Sequence, residues 1–212
     1  GRTDDSLIKA ATRAGVVYIE ISKAEVSESW EPDAAWLDRI ALTVCDDPPG
    51  KMVKLKHAQI PFERLARAIK AVGSVDVLVD SDKKFRSLPL VIRYRERVFP
   101  SLALRIFLNN SWAAGKPLAF EKKMFLRIGT VRISLDRYGC ALMNLTSPGS
   151  AYPSYSFADV LSGKVKPENF RGGLVLIGPS NPQMNIETQT GPKNGDEVIA
   201  DQLAMLYDIA GE

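Results

Sequence analysis

Of the 212 residues one is histidine and two are cysteine, and these two scarcities exclude a good deal. With His57 alone, no His-rich metal cluster can form, and a Ser-His-Asp triad has a single candidate base. Cys45 and Cys140 are too few for a disulfide scaffold and too far apart in sequence for a zinc knuckle; the sequence leaves open whether they bond to each other. No apolar run approaches the ~20 residues needed to cross a bilayer, and no signal peptide opens the chain. Charge of one sign is also scarce: the net is +3, without the clustered basic face of a nucleic-acid binder. No Walker sequence and no G-x-G-x-x-G follows any apolar run, and no fixed-period repeat or long linker appears.

What is present is the composition of one globular domain, 45% apolar and 25% charged. The pattern predicts a helix over 4–14, stopped by Gly15, and a strand over 16–21. Residues 22–60 read as a variable insertion that caps the sheet. It contains Trp30, Trp36, a short helix over 33–42 and a lysine-guarded edge at Lys54 and Lys56. Phe62, Leu65, Ile69 and Val72 predict an amphipathic helix running up to Gly73, followed by a strand over 75–79. Asp80-Ser81-Asp82 turns into a strand over 85–94, Arg95-Glu96 reverses it, and a helix opens after Phe99-Pro100. Residues 131–135 and 140–145 read as a hairpin around Asp136-Arg137-Tyr138-Gly139. A short helix over 157–161 and a last helix over 197–209 follow, the latter with Ile199, Leu203 and Leu206 inward.

One stretch organises this reading. Leu174-Val175-Leu176-Ile177 is an unbroken apolar run between Gly172-Gly173 and Gly178, the pattern of a strand buried on both faces. The expected fold is therefore α/β, a central mixed and largely parallel sheet with helices on both faces plus a β-hairpin portion, in a single domain over 1–212. The loop after such a strand is where α/β folds place ligands. That makes Ser180, Asn181, Asn185 and Thr190 candidate ligand-binding residues, joined by Tyr152 and Tyr155 from the Pro/Gly-rich loop before the short helix.

The candidates for catalysis are weak. Gly178-Pro179-Ser180-Asn181-Pro182 has the start of a nucleophile elbow but lacks its last glycine, and no histidine lies downstream of Ser180. Asp80-Ser81-Asp82 lacks the glycine and further acids of a calcium loop, so it reads as a solvated turn. No cofactor and no metal is expected.

Five pieces in order resemble a known family. They are Ala71 to Asp76 continuing through Asp80, Asp82 and Arg86 to Pro89-Leu90; Phe99-Pro100-Ser101-Leu102-Ala103-Leu104; Ile133-Ser134-Leu135-Asp136 with Gly139 and Asn144; Phe157-Ala158-Asp159-Val160-Leu161-Ser162-Gly163-Lys164-Val165; and Phe170-Arg171-Gly172 into Val175-Leu176-Ile177-Gly178. Together they resemble the type-two class of CHASE domain, a sensory module found outside the membrane in bacterial cyclases, histidine kinases and related receptors. Lys83 stands where that family has Gly, and Ile199 where it has His. The resemblance implies a non-catalytic, extracytoplasmic domain of an inner or plasma membrane receptor. It also implies membrane segments at both ends that are absent here, a homodimer, and a small-molecule or protein ligand whose signal passes through the two terminal helices to a cytoplasmic kinase or cyclase. Two alternatives stand beside it: a small serine hydrolase using Ser180, and a cell-envelope adaptor that binds a partner protein through residues 22–60.

Overall fold

A computed structural model describes residues 2–25, 30–146, 152–179 and 181–211. The chain opens with helix α1 (Arg2–Ala14), strand β1 (Tyr18–Lys23), helix α2 (Ala34–Ile40) and the short strands β2 (Val44–Cys45), β3 (Lys54–Leu55) and β4 (Ala58–Gln59). Helix α3 (Glu63–Ala68) leads to β5 (Ala71–Ser74), β6 (Ser87–Pro89), β7 (Val91–Tyr94), β8 (Arg97–Pro100) and helix α4 (Leu102–Asn110). A meander follows, β9 (Leu118–Glu121), β10 (Phe125–Ile128) and β11 (Val131–Ser134), then β12 (Cys140–Leu142) and helix α5 (Phe157–Leu161). A hairpin, β13 (Ile186–Thr188) and β14 (Gly191–Lys193), precedes the last helix, α6 (Gly195–Ala210).

The α/β class holds, with the strands distributed over several mixed sheets instead of one central sheet. The main ones run β4-β1-β5, β11-β10-β9-β2 and β3-β7-β8, with β12-β6 and β13-β14 as pairs. Parallel pairing occurs at β1–β5, β2–β9 and β3–β7; the remaining strand pairs are antiparallel. A parallel bridge from Ser74 to Ser101 carries the first sheet onto the end of β8. Residues 22–60 supply α2 and three of the strands. Trp30 and Trp36 pack edge to face at 5.4 Å, and their ring nitrogens donate to the Pro61 and Ala66 carbonyls.

Two apolar cores result. One gathers α4, α6 and the meander around Phe107, Phe120, Leu126, Ile128 and Leu206. The other lies between α2, α3 and β1 around Ile21, Trp36, Leu65, Tyr94 and Phe99. Arg105 of α4 reaches between them, donating to the carbonyls of Val72 and Ile40. Its guanidinium is buried, and that burial brings its pKa down to about 10. Where β5 crosses the start of α4, the backbones touch: a Cβ on Gly73 would lie 2.4 Å from the Leu102 Cα. Only a residue without a side chain fits there.

The stop at Gly15 and the Arg95-Glu96 reversal form as expected, and beside them stand two helix caps that sequence reasoning does not name. Asp33 caps α2 by accepting from the Trp36 N–H, Ser101 caps α4 by accepting from the Leu104 N–H, and Gly15 takes a left-handed conformation after α1. Arg95 and Glu96 both take positive φ, 46° and 59°, in the tight reversal between β7 and β8.

Other expectations are corrected. The helix expected to reach Val72 ends at Ala68, and 71–74 becomes a strand paired with β1; residues 75–79 form no strand. The turn at 136–139 exists, with the Asp136 carboxylate accepting from the Tyr138 and Cys140 N–H groups, but its flanking strands do not pair with each other. Instead β11 pairs with β10, and β12 with β6. The largest correction concerns Leu174–Ile177. The run is not an interior strand: Leu174, Val175 and Ile177 are 51%, 53% and 78% exposed, and only Leu176 leans on the first core. Finally, α6 is no edge element. Val198, Ile199, Leu203, Met205 and Leu206 are buried, and Tyr207 meets Phe107 of α4 edge to face at 5.2 Å.

Candidate functional site

The site that sequence reasoning touched only in part lies at the first turns of α6. Asn194 and Glu197 form a reciprocal capping box that fixes where the helix starts. Lys193 ends β14 just before that cap, and Asp201 lies eight residues later on the second turn of α6. Lys193 and Asp201 are 1% and 0% exposed and form a direct ion pair. A buried pair of this kind persists only if the remaining donors and lone pairs are matched.

Here they are. Lys193 Nζ donates to Asp201, to the Thr146 hydroxyl at 2.7 Å and to the Thr146 carbonyl at 3.2 Å, which uses its three protons. Asp201 accepts in addition from the Thr146 N–H at 3.2 Å, the Thr146 hydroxyl at 2.8 Å and the Tyr152 hydroxyl at 2.9 Å. Burial, and then the hydrogen bond to this carboxylate, push the Tyr152 phenol well above its usual pKa. The β13–β14 turn is tied to the same point: Thr190 donates to the Thr146 carbonyl at 2.9 Å, while the Thr188 hydroxyl accepts from the Thr190 N–H and donates to the Gly191 carbonyl. The result is a closed polar clasp between the chain on either side of 147–151, the hairpin and α6.

Gln202, the next residue on α6, is fully buried, and among the described residues neither polar atom of its side-chain amide has a partner. Leaving such a group unpaired costs ~1–3 kcal/mol.

The expected site residues divide. Tyr152 and Thr190 belong to the clasp. Tyr155 meets Phe170 edge to face at 5.6 Å, outside it. Asn181 is spent on its own turn, accepting from the Gln183 N–H at 3.0 Å. Asn185 closes the same single turn, 182–184. Ser180 lies outside the described residues. Sequence reasoning missed Lys193, Asp201, Thr146 and Gln202. One signal was available: Asp201 and Gln202 interrupt the apolar face of α6 between Ile199 and Leu203.

Elsewhere, Arg86 is held by Asp80 at 2.8 Å and by Asp82 at 2.6 Å, and it keeps the Asp82 carboxyl far below its usual range. Beside it is an open cleft of about 410 Å³ bordered by Asp80, Ser134, Asp136 and Cys140. Cys45 and Cys140 are both free thiols; burial and the nearby Asp136 push that of Cys140 up to about 12. Among the described residues no side-chain hydrogen bond orients His57, and no group of three or more His, Cys, Asp or Glu is placed to hold a metal. Nor is any helix among them long and apolar enough to cross a membrane.

These features define a mixed α/β domain whose buried polar centre is a clasp with every proton assigned. Comparison with known families gives the same class and makes it specific. The chain matches the model of the CHASE2 domain over residues 2–205, and so it belongs to the CHASE2 family, the extracellular sensory domains of receptors. No curated protein and no solved structure matches it.

Proposed function

We propose that this chain is the extracytoplasmic, non-catalytic ligand-sensing domain of a membrane-anchored receptor, and that it passes its signal through α6 to a cytoplasmic kinase or cyclase. The observation that carries this reading is the Lys193–Asp201 clasp, which binds a surface loop and a hairpin to the last helix, α6. A network so fully hydrogen-bonded has no free nucleophile or base to offer a substrate. Its bonds would break together, so an open arrangement beside the closed one would be a discrete state, and a ligand that preferred one of them would shift the population. The unpartnered Gln202 amide supports the same reading, because an arrangement that satisfied it would recover part of the cost of opening. Tyr152 and Thr190, at the outer edge of the clasp, are the groups a ligand meets first.

The test is a thermal-shift screen of small polar and anionic molecules against the purified domain. A true ligand raises the melting temperature by several degrees, and the shift shrinks when Tyr152→Phe and Thr190→Val are combined. Hydrolysis of a model ester that disappears on Ser180→Ala would overturn the reading in favour of a hydrolase. A partner protein captured only when 22–60 is intact would overturn it in favour of an adaptor.

A further inference from the structure

Leu174 to Ile177 stand at the surface as a segment with neither turn nor bend, and Leu174, Val175 and Ile177 are each more than half exposed. Only Leu176 leans on the first core. If the segment is extended, side chains alternate along it, so that Val175 and Ile177 share the outer face and Leu174 lies beside Leu176 on the inner one. Among the described residues, no backbone hydrogen bond is made by the N–H or carbonyl groups of these four residues. A lipid surface would cover the side chains but leave those backbone groups unpaired in hydrocarbon, which is costly. An incoming β-strand covers the side chains and pairs the backbone together. The length of such a partner is bounded. Before the run Gly172 turns the chain with a φ of 72°, and after it Pro179 has no N–H to offer, so a ladder spans the four residues, ~13 Å.

The charges at the two ends indicate which strand fits. Arg171, just before the run, is exposed and forms no ion pair among the described residues. After the run, Gly178 abuts Asp196 so closely that a side chain at 178 would collide with the carboxylate. Asp196 is half-buried and no cation acts on it; together with Asp76 it repels the carboxylate of Glu20, which has no cation either. The run therefore lies between a free positive charge and an uncompensated negative group. Antiparallel pairing is the more stable kind, and in that direction the partner's first residue falls beside Asp196 and its last beside Arg171.

We propose that Leu174–Ile177 is a strand-addition site for an extended segment of another protein, about four β-branched residues preceded by a basic side chain and followed by an acidic one, paired antiparallel to the run. Main-chain hydrogen bonds supply the affinity, Val175 and Ile177 pack against the partner's outward side chains, and the end charges fix its direction. The site does not use Tyr152 or Thr190, so it stands or falls independently of the ligand reading above.

Calorimetric titration of the domain with the peptide acetyl-Lys-Val-Ile-Thr-Val-Glu-amide, up to roughly millimolar, tests this. The peptide binds one to one. Exchanging its two end charges weakens binding ~10-fold, and Arg171→Glu removes most of that difference. A strand offers alternate residues to each of its edges, so of two peptides N-methylated on the two alternate sets of amides, one binds and the other does not. Ile177→Asp weakens binding by ~10-fold or more and leaves the melting temperature unchanged. No saturation at millimolar peptide, equal binding of the two N-methylated forms, or indifference to Ile177→Asp overturns the proposal. So does a domain that melts several degrees lower with Ile177→Asp, since the run would then pack inside its own chain. Binding to phosphatidylglycerol vesicles that is lost with Ile177→Asp overturns it in favour of a lipid surface, and self-association lost with the same change overturns it in favour of a second copy.

Discussion

Replacing Asp201 by leucine removes the one acceptor that faces Lys193, Tyr152 and both donors of Thr146. The ammonium of Lys193 is 1% exposed, so no solvent reaches it to take over. Breaking a buried pair from one side costs ~3–5 kcal/mol, mostly for the charge left behind. Lys193→Met leaves the carboxylate instead, but with its three Thr146 and Tyr152 bonds intact, and so costs towards the lower figure. With both replaced, no buried charge remains. The residual penalty is then one or two unpaired groups on Thr146 and Tyr152, together ~2 kcal/mol. The double variant is therefore more stable than Asp201→Leu alone, with a coupling of about 4–6 kcal/mol between the two sites. Urea unfolding of the four proteins measures this directly. In melting temperature each single change corresponds to a fall of ~6–20 °C at 2–4 °C per kcal/mol for a chain of this size. Additive effects, or single changes costing less than ~1 kcal/mol, would mean that water enters the clasp and that it does not hold α6.

Two further tests concern the frame around the clasp. Gly73→Ala places a methyl 2.4 Å from the Leu102 Cα and 2.6 Å from its nitrogen, backbone atoms that cannot swing away. It should cost ~3 kcal/mol and lower melting by ~6–12 °C, whereas Gly50→Ala, with nothing within 4 Å of the added carbon, should stay within ~0.5 kcal/mol. Equal effects would refute the close crossing. On pH, burial raises the Asp196 carboxyl above its ordinary 3.8, and burial together with Asp196 and Asp76 raises Glu20 above 4.5. A folded-state pKa above the unfolded one means that the native state holds the proton more tightly. The stability these groups contribute is then fully present below their ordinary values and is lost as pH rises through the raised ones. Asp82, lowered by Arg86, works in the opposite sense: its contribution is present above 3.8 and is lost as pH falls. Asp196→Asn should flatten the decline above about pH 4 seen by denaturant unfolding, and an unchanged slope would remove Asp196 from the account.

Whatever depended on neighbours in sequence was legible. The stop at Gly15 and the reversal at Arg95-Glu96 each need only three or four consecutive residues, and each formed. Pairing was not legible in the same way. Asp136-Arg137-Tyr138-Gly139 makes its turn, but whether 131–134 joins 140–142 depends on which other strands compete, and β10 and β6 win. Ile69 and Val72 continue the helical spacing of Phe62 and Leu65, but β-branched Val72 also suits a strand, and parallel pairing with β1 decided in favour of the strand at 71–74. The run at 174–177 has the composition of an interior strand, but composition states a preference for burial and not what does the burying. In the clasp, Thr190 and Tyr152 were found because they sit in loops rich in turn residues. Lys193 and Asp201 look like ordinary solvated charges until the hairpin folds back and seals them.

Under the function proposed above, the position of the clasp on α6 constrains what kind of signal the domain would pass on. The later half of the helix is locked to α4 by Leu203, Leu206 and the Tyr207–Phe107 contact, so it has no room to bend independently. A change at Asp201 must therefore move the helix as a body or leave it in place. Opening the clasp costs several kcal/mol, and a ligand supplies only the difference between its affinities for the two arrangements. At 1.4 kcal/mol per factor of ten, a ligand that opens the clasp must prefer the open form by ~10³-fold. A ligand of millimolar affinity has ~4 kcal/mol in total, so it can drive opening only if it does not bind the closed form at all. A weak ligand that binds the closed form acts in the other direction, by holding Tyr152 and Thr190 against Thr146 and Asp201 and reducing the motion of α6. The sign of the response therefore follows from affinity. Weak ligands that also bind the closed form quiet this helix, and only ligands that discriminate strongly between the two forms shift it.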